Sequence, residues 1–179
     1  MRQVLLHICC GICASSVVQR LREEDFLVVG FFYNPNIHPE SEHHQREEIV
    51  KQVSGILRFE LVTAVYDKHT WLQVTQGLEK EPEGAARCLA CFKLRLEETQ
   101  KKADQMNISR FATTLTVSPH KNTTIINDIG RAISPSGFLA YDFKKDNGFK
   151  LAIEFARRYN LYRQNYCGCI YSKAGKTKC

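Results

Sequence analysis

The residues of this sequence with the clearest capacity for chemistry are its cysteines, seven of which fall into three tight groups. The groups are a C-C-x-x-C sequence near the start, a C-x-x-C pair in the middle and a C-x-C pair near the end. Thiolates gathered in this way act as metal ligands or redox catalysts in a reducing compartment. Seven soft ligands exceed the four that one tetrahedral zinc or one [4Fe-4S] cluster uses, so we expect an iron-sulfur cluster with a second metal or a redox-active thiol pair. The seven are Cys9, Cys10, Cys13, Cys88, Cys91, Cys167 and Cys169.

The spacing within each group fits metal binding. Cys13 is expected at the N-terminus of a helix, where the helix dipole lowers the pKa of a thiol and favours the thiolate. Cys88 and Cys91 open another expected helix, and a separation of three residues puts both sulfurs on one face. Taken alone, this pair fits zinc, an iron-sulfur cluster or thioredoxin-like chemistry. A haem-attachment site is disfavoured because Phe92 stands where that motif needs histidine. Gly168 gives the last pair a backbone tight enough to direct two sulfurs at one centre.

A second group of polar residues lies at 113–121, in the sequence TTLTVSPHK. Its hydroxyls, imidazole and ammonium group suit the binding of a phosphate, a ribose or a polar base. A capped loop that precedes a helix is an equally good interpretation of the same residues. The adjacent pair His43 and His44 is interpreted as part of a solvated helix face because it is followed by charged residues.

The elements that must position these groups alternate between strands and helices. Buried strands are predicted at 1–10, 26–33, 59–66 and 109–117 from short apolar runs. Helices are predicted at 14–24, 71–78, 88–106, 122–133 and 149–159, with another after a cap at Ser41. This alternation predicts a Rossmann-like α/β fold with a mostly parallel sheet and helices on both faces. Ligands then bind beyond the carboxyl ends of the strands, where the first cysteine group and residues 118–121 converge.

Composition limits the class of protein. The 179 residues, 44% of them hydrophobic, suffice for one domain over 1–179 with a cysteine-bearing C-terminal segment. No signal-peptide run and no apolar stretch near 20 residues is present, so we expect a soluble, cytoplasmic protein without a membrane partner. The net charge of +6 fits a polyanion such as RNA, or simply a charged surface. Cys179 is expected to be a tail thiol without a role.

Four sequences in order, HICCGIC, EPEGAARCLACFKLRL, TTLTVSPHKN and YRQNYCGCIYS, closely resemble the QueH-type epoxyqueuosine reductases. The resemblance spans essentially the whole chain, and it implies a nucleotide-binding HUP-type fold. It also implies an activity: epoxyqueuosine at the wobble position of tRNA loses its epoxide oxygen to give queuosine, without cobalamin. The family is understood to hold a [4Fe-4S] cluster beside a further, mononuclear iron.

Site residues follow from this resemblance by position. All seven grouped cysteines become candidate metal ligands, and their division between cluster and second iron stays open. Cys9, Cys10, Cys13 and Cys169 are the expected catalytic residues, and the expected cofactor-binding residues are Cys9, Cys10, Cys88, Cys91, Cys167 and Cys169. Asp67 is a candidate carboxylate ligand. Substrate contacts are expected at Tyr33, Asn34, Ser118, His120, Lys121, Tyr141 and Arg163, and phosphate contacts at Lys93, Arg95, Lys144 and Lys145.

The reaction implied by the resemblance takes two electrons and two protons and releases water. A cluster can deliver electrons singly, and a neighbouring iron can act as a Lewis acid on the epoxide oxygen. An external electron donor is required, because no flavin or nicotinamide site is recognisable. Two other classes of protein remain. One is a tRNA-thiolating enzyme with a cluster, which needs a phosphate-binding S-G-G-x-D-S loop after the first strand, where this chain has CCGICAS. The other is a zinc-stabilised RNA-binding module without catalysis.

Overall fold

The predicted α/β fold with a parallel sheet is confirmed by the computed structural model, which describes residues 2–174. Within that range the sheet has four strands, all parallel, in the order β3-β2-β1-β4. The strands are β1 (Arg2–His7), β2 (Phe26–Phe32), β3 (Glu60–Thr63) and β4 (Phe111–Thr113). The helices are α1 (Gly11–Glu23), α2 (Glu40–Leu57), α3 (Lys68–Val74), α4 (Ala86–Gln105), α5 (Thr123–Ile133), α6 (Gly148–Arg158) and α7 (Ile170–Ala174).

The central strand β1 is apolar on both faces because helices cover both sides of the sheet. Val4 and Leu6 belong to a core with α1, α2 and α6, whereas Leu5 belongs to a core with α4 and α5. All three side chains are fully buried. Leu5 is also in register with Val29 of β2 and Phe111 of β4. This double burial explains why a continuous apolar run marked the strand in the sequence.

All four strands are shorter than predicted, the third and fourth by half or more. The fourth was predicted at 109–117, but β4 ends at Thr113 and the chain continues as a 3-10 helix, Thr114–Val117. The reason is local: the Thr113 hydroxyl accepts a hydrogen bond from the backbone N–H of Leu115 and so caps the turn. The third was predicted at 59–66, whereas β3 covers Glu60–Thr63.

Helix boundaries also differ from prediction. Helix α2 begins at Glu40 after Pro39, so the predicted cap at Ser41 is wrong. Helix α3 begins at Lys68, earlier than the predicted 71–78, because the Asp67 side chain accepts hydrogen bonds from the next turn. The predicted cysteine-bearing C-terminal segment contains the short helix α7.

Among residues 2–174, no helix combines the length and the apolar character needed to cross a bilayer.

Candidate metal and substrate site

The first cysteine group lies where β1 ends and α1 begins. Cys10 is the N-cap residue of α1, and Cys13 follows in the first turn, as predicted. Thr114, which follows β4, contacts Cys9 twice. The Cys9 backbone N–H donates to the Thr114 hydroxyl at 2.9 Å, and that hydroxyl donates to the Cys9 sulfur at 3.2 Å. Cys9 is partly buried, and the other two thiols are buried. The group is therefore fixed by the sheet edge and not by a loose loop.

The three thiols of this group differ in acidity. The pKa of Cys9 is held well below its ordinary value because Cys10 and Cys13 donate hydrogen bonds to its sulfur, with support from the charges of Lys121 and Arg95. The pKa of Cys13 is raised because it donates to Cys10 and Cys9, and because it is buried. Cys9 is thus the thiol best prepared to act as a thiolate ligand or nucleophile.

A buried polar network supports the end of β1, and sequence reasoning missed its centre, His7. The His7 ring is fully buried between the Thr113 hydroxyl at 2.8 Å and the Tyr33 carbonyl at 3.2 Å. Burial and the nearby Arg95 charge lower its pKa to about 3, so the imidazole is neutral. Asn34 continues the network, since its amide donates to the Ile8 carbonyl and accepts from Arg95.

The second and third cysteine groups line one cavity, which we call the thiol cavity. Cys88 and Cys91 come from the first turns of α4, and Cys167 and Cys169 come from the segment before α7. The cavity is also lined by Trp71, Glu83, Gly84, Arg87, Phe92, His120, Lys121, Asn122 and Ile125. Burial raises the pKa of Cys88, Cys91 and Cys169. Removing charged thiolates from water is unfavourable here unless a cation neutralises them.

An adjoining cavity, which we call the cationic cavity, lies beside the first cysteine group. Its polar lining includes Arg46, Arg95, Lys121 and Arg163, and its apolar walls include Phe149. The complete lining is Cys9, Ile12, Cys13, Arg46, Arg95, Leu115, Ser118, Lys121, Phe149, Ile153, Arg163, Gln164 and Cys167. Cys167 and Lys121 line both cavities. The two cavities therefore bring together all three cysteine groups.

The position of the C-terminal cysteines depends on Arg46 of α2. Its guanidinium donates to the carbonyls of Tyr166 and Cys167, both at 3.1 Å, and forms an ion pair with Glu42 at 2.7 Å. Arg46 is 2% exposed and also lies over the Tyr166 ring. Gly168, at φ +104, lets the chain pass close to this guanidinium. The sequence analysis gave Arg46 no role because its partners lie far along the chain.

Several other predicted site residues line these cavities. Ser118, Lys121 and Arg163 line the cationic cavity, and His120 and Lys121 line the thiol cavity. Tyr33 packs beside the cluster of Trp71, Cys91 and Cys169, in which it is partly buried.

Others lie elsewhere or have structural roles. Tyr141 donates a hydrogen bond to Glu24, where α1 ends, and so is not brought to the cavities. Asp67 caps α3 and is not among the residues that line either cavity. Arg95, expected as a phosphate contact, is 2% exposed and donates to the Asn34 side chain. The Asn34 amide group in turn donates to the Ile8 carbonyl, so protein partners occupy the expected substrate contact at Asn34. The prediction of a solvated His43 is wrong, since it is buried against Phe32 and Tyr66.

Within the described residues, no three histidine, cysteine, aspartate or glutamate side chains are grouped closely enough to hold a metal ion. Cys179 lies outside the described residues.

The family model described as epoxyqueuosine reductase QueH matches residues 4–175. This chain belongs to the QueH family. QueH of Streptococcus pyogenes serotype M1 is 36% identical over 178 residues, which cover 94% of this chain and 69% of that protein. QueH of Thermotoga maritima is 32% identical over 178 residues, covering 96% of this chain and 91% of that protein.

A solved structure supports the fold. The crystal structure described as a predicted subunit of tRNA methyltransferase from Methanocaldococcus jannaschii superposes with a TM-score of 0.60 and 14% sequence identity. The match covers 86% of this chain and 75% of that one. At this identity the likeness concerns the fold alone. Membership in the QueH family makes this chain an epoxyqueuosine reductase, an oxidoreductase, as the sequence motifs predicted.

Proposed function

We propose that this QueH protein reduces epoxyqueuosine carried by tRNA to queuosine, using a [4Fe-4S] cluster in the thiol cavity and a mononuclear iron beside it. The observation that supports this most directly is the shared wall between the two cavities. Cys167 and Lys121 line both, so a group bound among the four thiols would adjoin a ligand in the cationic cavity. Electron transfer and substrate binding can then occur side by side.

The donor set of the thiol cavity fits an iron-sulfur cluster. Cys88, Cys91, Cys167 and Cys169 supply four soft ligands, the number that one [4Fe-4S] cluster uses. Cys91 and Cys169 are buried, and a cluster there would be shielded from water. Because the thiols line the cavity without converging on one point, binding requires their side chains to turn inward by rotation about χ1. The backbones of both pairs can stay in place, since α4 and Arg46 fix them.

The first cysteine group is our candidate for the second iron. Cys9 is the thiol whose pKa is lowered, and Cys10 and Cys13 lie within hydrogen-bonding reach of it. Cys9 and Cys13 also line the cationic cavity, where substrate would bind. An iron held here would therefore face the substrate, while the cluster would lie behind Cys167.

The cationic cavity has the chemistry expected for a modified nucleotide. Apolar side chains such as Phe149 and Ile153 can pack on a base or a carbocyclic ring, and Arg163 and Lys121 can pair with phosphate oxygens. The net charge of +6 would favour association with tRNA through counterion release. Reduced thiols and a tRNA substrate are both consistent with action in the cytoplasm.

The overall reaction converts an epoxide to an alkene and water with two electrons and two protons from outside the substrate. When bound, the cluster would supply single electrons and the second iron a Lewis acid. Lys121, which lines both cavities, would stabilise negative charge that develops on the epoxide oxygen. A separate electron donor must reduce the enzyme.

Cysteine substitutions test this proposal. Cys88→Ala and Cys169→Ala should each lower bound iron and abolish conversion of epoxyqueuosine to queuosine in tRNA. Cys179→Ala changes the cysteine outside the three groups and is the matched control, which should keep both the bound iron and the activity. The proteins would be prepared without oxygen, with iron measured chemically and the nucleosides by mass spectrometry. Full activity in Cys88→Ala or Cys169→Ala would overturn the assignment of the thiol cavity.

The same preparations distinguish a zinc-stabilised RNA-binding module. An iron-sulfur protein is brown and absorbs broadly in the blue, whereas a zinc protein is colourless. A colourless wild-type protein that holds zinc and binds tRNA without converting it would support that alternative.

A further inference from the structure

The wall of the thiol cavity contains the single tryptophan of the sequence, Trp71. It lies on α3 and is 0% exposed, in one buried cluster with Cys91, Leu94 and Cys169. The rings of Tyr171 and His38 pack on it, with centroids at 6.0 and 5.3 Å. The indole is therefore held in one orientation beside two of the four cysteines.

The indole N–H of Trp71 lacks a hydrogen-bond partner among the described residues, although the atom is buried. A buried donor without an acceptor costs about 1–3 kcal/mol, so proteins rarely retain one without a reason. Two thiols, Cys91 and Cys169, share its buried cluster and line the same cavity. Cys91 is the one that lies within reach of the indole, so its sulfur is the acceptor available to this N–H. The interaction would strengthen once Cys91 turns inward as a metal-bound thiolate.

We propose that Trp71 donates an N–H···S hydrogen bond to the Cys91 ligand of the bound cluster and thereby raises its reduction potential. This inference rests on the proposed function, since it assigns the cluster to the thiol cavity. Reduction adds one negative charge to the cluster, and a donor at a ligand sulfur stabilises the more negative form. The low polarity around Trp71 makes this contact stronger than the same contact in water. Trp71 is a positioning residue that acts through Cys91.

Two changes to the indole test this assignment in opposite directions. Trp71→Phe keeps an aromatic ring and removes the N–H, so the midpoint potential of the cluster should shift to a more negative value. Because the chain has one tryptophan, growth on 5-fluorotryptophan labels this position alone. Fluorine makes the indole N–H a stronger donor with almost no change of shape, so the potential should shift to a more positive value.

The control is Thr75→Val. The Thr75 hydroxyl donates to the backbone carbonyl of Trp71 at 2.9 Å, so this variant disturbs the same turn of α3 and retains the indole. Its potential should equal that of the wild type. The potentials would be measured by anaerobic titration with dithionite and mediator dyes, followed by visible absorption, and iron content would be measured on each sample.

The outcomes separate this inference from the proposed function. Wild-type protein that binds no cluster contradicts the proposed function itself. Iron-loaded wild-type, Trp71→Phe and fluorotryptophan proteins with equal potentials would overturn the role of Trp71 and leave the cluster assignment intact. If Trp71→Phe does not fold, the fluorotryptophan protein decides: a positive shift supports the hydrogen bond, and an unchanged potential refutes it.

Discussion

Replacing Arg46 with methionine should both destabilise the protein and displace the C-terminal cysteines. The guanidinium joins α2 to the Tyr166 and Cys167 carbonyls and pairs with Glu42, all within a buried region. Breaking a buried ion pair typically costs about 3–5 kcal/mol. Glu42 retains hydrogen bonds from the Tyr162 hydroxyl at 3.0 Å, which reduces the loss. We therefore expect the free energy of unfolding to fall by about 3 kcal/mol, the lower end of that range.

Urea denaturation of the metal-free protein, under reducing conditions, measures this loss. Lys51→Met is the matched control on the same helix, because the Lys51 side chain is 48% exposed and pairs with Glu47 and Glu48 of that helix. That change should cost less than about 1 kcal/mol. Arg46→Lys should recover little, since one ammonium cannot reproduce the planar fork that reaches both carbonyls. Iron uptake should fall in Arg46→Met and Arg46→Lys but stay normal in Lys51→Met.

A small loss of stability together with full iron uptake in Arg46→Met would refute this reasoning. It would mean that the segment around Cys167 is held by contacts other than the guanidinium.

Two further predictions concern backbone fit and pH. Gly168→Ala should destabilise the protein by about 1–3 kcal/mol, because the residue has φ +104 and a Cβ would lie 2.9 Å from Ile37. Gly55→Ala is its control: the new Cβ meets open space within α2, and urea denaturation should show a gain of up to about 1 kcal/mol. Burial lowers the pKa of His43 from 6.5 to about 4, so the unfolded chain binds a proton first and stability should fall as the pH drops from 6.5 towards 4. Thermal denaturation of the wild type and of His43→Phe between pH 6.5 and pH 4 measures this loss of stability. An equally steep loss in both proteins would contradict the role of His43.

The sequence was sufficient for the sheet and for the cysteine groups because both depend on local pattern. The strands β1 and β2 are continuous apolar runs, and helix α4 begins at its C-x-x-C pair with the periodicity of a long amphipathic helix. Parallel strands place their carboxyl ends together, so the convergence of Cys9 with residues 118–121 followed from topology.

The supporting residues could not be predicted in the same way, because their roles depend on distant partners. His7 and Arg46 were unremarkable in sequence, yet each contacts residues more than 100 positions away. Arg95 was expected to contact phosphate because arginine is usually exposed, and only the fold shows that it is buried and donates to Asn34. Tyr141 follows β4 in sequence, but its hydroxyl contacts Glu24 at the opposite end of α1 from Cys13.

The two halves of the thiol cavity are made at different times during protein synthesis. Strand β4, the last strand among the described residues, ends at Thr113, whereas Cys167 and Cys169 follow only after α5 and α6. A ribosome exposes the whole sheet and the α4 cysteine pair well before the final pair emerges. Under the proposed function, the cluster site is complete only after the last of these segments has been synthesised, and a chain that ended before Cys167 would contain the whole sheet and half of the thiol cavity.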